Sequence, residues 1–85
     1  MAKNNLTFTK VGQKYESEYT GESGILQLRL NENAHIIVLG DAGAGYMQID
    51  EMRGSNLVRT LNMAGLTKVK FVSDGPIAQG VVNEF

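Results

Sequence analysis

From Leu6 to Phe85 the chain runs through short stretches of alternating apolar and polar residues, set apart by glycines and turn residues. A period of two predicts strands. Leu6 and Phe8, with Lys10, fall on one side of an extended segment, and Thr7 and Thr9 on the other. After a turn or bulge at Val11–Lys14, Tyr15, Ser17 and Tyr19 alternate with Glu16, Glu18 and Thr20, which gives an aromatic core face and an acidic solvent face. Gly21-Glu22-Ser23-Gly24 reads as a turn. Leu26, Leu28 and Leu30 then oppose Gln27, Arg29 and Asn31. Ala34 to Leu39 is an apolar run broken only by His35, and its Ile and Val content predicts the most buried strand. Asn31-Glu32-Asn33 between these two runs has the composition of a tight connection, so residues 25–30 and 34–39 are expected to form a hairpin.

Gly40-Asp41-Ala42-Gly43-Ala44-Gly45 is the flexible point of the pattern, a hairpin loop by composition. In residues 46–52, Met47 and Ile49 alternate with Gln48 and Asp50 before a turn at Arg53–Asn56. Leu57 to Leu66 has two readings. Ser55 caps a helix with Leu57, Val58 and Leu61 on one face, or the segment is strand, turn, strand. The second fits better, because Val69, Phe71 and Val72 resume a strand directly. Ser73-Asp74-Gly75-Pro76 is a strong turn, and residues 77–85 form a last strand with Gly80 as a bulge or close-packing point. The expected fold is all-β, a small antiparallel sandwich or barrel of about seven to eight short strands. Residues 1–5 are polar and predict a flexible N-terminal arm ahead of a single β domain over residues 6–85.

Composition narrows the chemistry. Eighty-five residues allow one modest core. Zero Cys removes disulfides and thiolate metal sites, and a single His argues against an imidazole-based one. Self-association is then the remaining route to extra stability. Eight basic and nine acidic residues are interspersed, so the chain lacks the basic excess of a nucleic-acid binder, and nucleic acid is not an expected partner. No stretch approaches a membrane span, and the N-terminal residues have no apolar core of a signal peptide.

Each candidate site has a plainer reading beside it. Gly40, Gly43 and Gly45 follow a buried strand, as phosphate-binding loops do, yet no Lys-Ser or Lys-Thr pair follows and Tyr46 begins a strand. His35 lacks a serine in an elbow motif and reads as a partly exposed strand-end residue. Glu16, Glu18 and Glu22, and Asp50 with Glu51, read as solvated faces rather than a catalytic pair. Lys68 and Lys70 oppose Val69 and Phe71, which puts phenylalanine in the core and lysine in water. No catalytic, cofactor-binding or metal-ligating residue is expected. The candidate contact surface is the loop Asp41, Ala42, Gly43, Ala44, Gly45 and Tyr46, with Tyr46 the one aromatic placed to stack on a sugar.

Two segments carry a family resemblance. Phe8-Thr9-Lys10-Val11-Gly12-Gln13-Lys14-Tyr15 has the form of an FTKVG-x-x-Y opening, and Val69-Lys70-Phe71-Val72-Ser73 begins a VK-x-VS strand that leads through a turn into the closing strand to Phe85. In these the chain resembles the small β-rich virion proteins of tailed phages that infect Bacteroides-type gut bacteria, crAss-like phages among them. The resemblance implies a non-enzymatic capsid decoration, auxiliary or head-fibre protein located in the virion and assembled in the host cytoplasm. Its implied partners are other virion proteins, above all the major capsid protein, and further copies of itself, with a trimer suited to local threefold positions. No cofactor and no membrane are implied. The alternatives are a β-sandwich binding module for carbohydrate or protein, and a nucleic-acid-binding barrel.

Overall fold

The computed structural model describes residues 2–85. Seven antiparallel strands form a single curled sheet: β1 Lys3–Leu6, β2 Thr9–Val11, β3 Lys14–Tyr19, β4 Gly24–Asp41, β5 Tyr46–Leu61, β6 Lys68–Ser73 and β7 Ile77–Glu84. The fold class follows the alternation, as expected. Two of the strands are far from short. β4 has 18 residues and β5 has 16.

Those lengths determine the architecture. At about 3.3 Å per residue, β4 drawn straight would span nearly 60 Å. The whole molecule measures 32 × 29 × 19 Å. The β4–β5 ribbon must therefore bend, and it does so at residues 30–34 of β4 and 54–56 of β5, where the register shifts between Arg29 and Ala34. One edge of β4 is paired with β5 along both arms of the bend. The other edge pairs β7 over residues 24–30 and β6 over residues 36–41. β1 adds to β7, and β3 followed by β2 adds to β6. The result is a half-barrel whose two arms share one core of Leu26, Leu28, Leu30, Ile36, Val38, Val69, Phe71 and Val82.

Several expectations are corrected here. Residues 25–30 and 34–39 are successive arms of the one bent strand β4, not a hairpin, and Asn31–Asn33 lie exposed at its bend. On both sides of the bend the even positions point inward (Leu26, Leu28 and Leu30 before it, Ala34, Ile36 and Val38 after it), while Glu32 at the bend itself is exposed. Arg53–Asn56 is likewise internal to β5. Residues 3–5 belong to an edge strand held by Val81–Asn83, where a flexible arm was expected; Met1 lies outside the described residues. Leu6 ends β1, Lys10 lies in β2, and Phe8 falls in the connection between them. After β5 ends at Leu61, residues 62–67 turn without forming a helix, and β6 follows, which is the strand, turn, strand reading. Gly80 is a close-packing point: a Cβ there would sit 3.1 Å from both Leu28 Cδ2 and Phe8 Cε1.

Candidate functional site

The loop between β4 and β5 is built on Asp41. Its Oδ1 accepts hydrogen bonds from the Gly43 N–H at 2.7 Å and the Gly45 N–H at 3.2 Å. Its carbonyl accepts from the Thr67 N–H at 2.8 Å and the Thr67 hydroxyl at 2.9 Å. Gly43 has φ 120° and Gly45 φ 93°, values that only glycine adopts without strain. The expected flexible loop is thus tied down through side chain and backbone to the segment before β6.

Beside this loop lies an apolar depression. Ala42, Ala44, Met47, Ile49 and Leu66 line it together with the loop glycines. Met47 is 64% exposed and Ile49 49% exposed, unusual for large aliphatic side chains that make no polar contact. Gly40 shapes the floor, since a Cβ there would lie 3.0 Å from Ile49 Cδ1 and 3.3 Å from Leu66 Cδ2. The alternation sets Met47 and Ile49 together on one face of a strand, yet neither reaches the core. They miss it because Ile49 is the extra residue at a register shift, Val38 pairing Asp50 while Leu39 pairs Gln48, and because β5 runs past the end of the core. Leu66 was legible only as the end of an ambiguous segment.

Tyr46 does not join this surface. It pairs Asp41, and its ring lies on the outer face of the sheet with Lys68 Nζ 5.2 Å and Lys70 Nζ 4.9 Å from its centroid. Its hydroxyl donates to Glu18 Oε2 at 2.7 Å, and Lys70 Nζ stands 3.6 Å from Glu16 Oε1. Burial first, then the hydrogen bond and charge of Glu18, hold the phenol above its ordinary pKa. Two lysines and two glutamates therefore compensate one another around a fixed tyrosine. That leaves neither an open ring for a sugar nor a net positive face for phosphate.

His35 sits within β4, its Nε2 2.7 Å from Glu51 Oε2 and its backbone N–H donating to Asp74 Oδ1 at 2.9 Å. The nearby Ser73 hydroxyl is bound to the Gly75 carbonyl at 2.7 Å. One carboxylate, that of Glu51, holds the imidazole, and the neighbouring hydroxyl is spent on a turn.

No family model, curated protein or solved structure matches the chain. What it does must therefore be argued from the loop, its apolar flank and the exposed edges of the sheet.

Proposed function

We propose that the chain is a non-enzymatic structural protein of a phage virion, a capsid decoration or auxiliary subunit that binds the major capsid shell and is assembled in the host cytoplasm. The observation that carries this reading is the pinned apolar surface of Ala42, Ala44, Met47, Ile49 and Leu66. A rigid patch of this kind suits a permanent partner: its loop is already ordered, so docking costs little conformational entropy. The resemblance of the Phe8–Tyr19 and Val69–Phe85 segments to small phage virion proteins supplies the partner class. Among the alternatives, a sugar site would need the open face of Tyr46, which the two lysines cover.

Co-sedimentation with preformed capsid shells of the encoding phage tests the proposal. The chain is expected to pellet with shells and saturate at a fixed ratio to the major capsid protein. The Ala44→Lys/Met47→Lys double variant, altered at exposed positions only, should lose at least about tenfold in affinity while keeping its fold. A wild-type chain that stays in the supernatant, or a double variant that pellets like the wild type, would overturn it.

A further inference from the structure

β5 is the open side of the half-barrel. It pairs only with β4, so among the described residues its second edge is unpaired from Tyr46 to Leu61. It carries no proline and no lysine, the usual blocks against edge pairing. Its charges are unevenly placed: Asp50, Glu51 and Arg53 lie in the arm before the bend, which is net acidic, and Arg59 lies in the arm beyond it. A parallel in-register neighbour would set like charges opposite one another. An antiparallel copy would set the acidic arm against the basic one.

The faces select one register. Before the bend, Asp50 and Met52 pair the inward residues Val38 and Ile36; beyond it, Leu57 and Arg59 pair the inward residues Leu28 and Leu26. The inward phase of β5 thus changes from even to odd at its centre. A two-fold axis between Gly54 and Ser55 places Met52 opposite Leu57 and Asp50 opposite Arg59, inward residue against inward residue, in both copies of the pair. Moving the register by two residues sets Asp50 against an apolar leucine instead. Asp50 and Arg59 are both exposed, and neither has an ion-pair partner among the described residues. They stand on the rim of a cleft of about 170 Å³, floored by Leu26, Val38 and Phe71, along the unpaired side of β5.

We propose that β5 pairs antiparallel with β5 of a second copy of this chain about that axis, joining two half-barrels into one continuous sheet and closing the cleft of each with Asp50–Arg59 contacts. The inference does not depend on the capsid reading, and a two-fold pairing of this kind makes a dimer rather than the trimer that would suit local threefold positions.

Light scattering after gel filtration, over a concentration series, tests it. The wild type should run at twice its 9.3 kDa chain mass. Asp50→Arg and Arg59→Asp should each weaken self-association at least about tenfold, since each puts two like-charge contacts in the interface. Equimolar mixing of these two single variants should restore a dimer, because both contacts are then opposite in sign, and the Asp50→Arg/Arg59→Asp double variant should dimerise by itself. Circular dichroism of each variant checks the fold. A wild type that remains monomeric at about 500 µM, single variants that dimerise like the wild type, or a mixture that stays monomeric would overturn the proposal. Shell co-sedimentation with the Asp50→Arg variant separates the two proposals, since its docking patch is untouched.

Discussion

Tyr19 and Glu84 show how much a single pair of polar side chains does in a core this small. The Tyr19 hydroxyl lies 2.5 Å from the Glu22 carbonyl and 2.8 Å from Glu84 Oε2, sharing its proton between them, and the Glu22 N–H donates to the same carboxylate oxygen at 2.8 Å. Gly21 leaves room for this contact, since a Cβ there would press on both side chains and one of them would have to shift. The Glu22 N–H first, then the tyrosine hydroxyl, favours the ionised carboxylate and lowers its pKa. Burial, followed by the bond and charge of Glu84, pushes the phenol up to about 12. A depressed carboxylate pKa stabilises the fold in full above the unfolded value, near 4.5, and the contribution is lost as pH falls through the lower folded value. Glu84→Gln should therefore melt below the wild type at pH 7, and the gap should narrow as the pH drops below about 4. A gap that is constant from pH 7 to pH 3 would rule out the charged form as its source. Neither partner of this clamp was legible in the sequence beyond Tyr19 facing the core, since the two are brought together only when the last strand enters the sheet.

At the scale of the elements, strand propensity was written in the alternation and strand ends were not. The Asn31-Glu32-Asn33 triplet has turn composition, yet the leucines and isoleucines on either side keep one phase from Leu26 to Val38, the mark of one bent strand. Composition reports what a backbone tolerates; phase reports which face is buried, and here burial decided. The glycine loop shows the reverse. Its composition placed the hairpin connection correctly, while its rigidity depends on Asp41 reaching back to two amides, which no spacing rule announced. Of the six residues expected to form a contact surface, Ala42 to Gly45 lie on the apolar depression, Asp41 serves as its internal brace, and Tyr46 faces the other side. Because Gly43 has φ 120°, Gly43→Ala should cost about 1–2 kcal/mol in chemical denaturation. A neutral result would mean that the loop relaxes at no cost and does not present a fixed surface.

For the molecule as a whole, the Cα radius of gyration is 11.9 Å, close to the roughly 12 Å expected of a compact chain of this length. The bent ribbon is thus folded on itself around a shared interior, with Phe71 fully buried at the junction of the two arms. Phe71→Ala should destabilise by about 3–5 kcal/mol, a large part of the stability of so small a domain, and leave it largely unfolded at 37 °C. A loss under 1 kcal/mol would show that the arms do not depend on a common centre. The order of the strands carries a further consequence, for biosynthesis. β7 is the last strand to leave the ribosome, and it is inserted between β1, among the first made, and the first arm of β4. Until it arrives, β1 has no partner and β4 has an open flank, so the nascent chain carries two exposed backbone edges at once. Vectorial folding is denied to this topology. The sheet can close only once β7 has emerged, and until then neighbouring chains on the same polysome offer the first edges its open strands can meet.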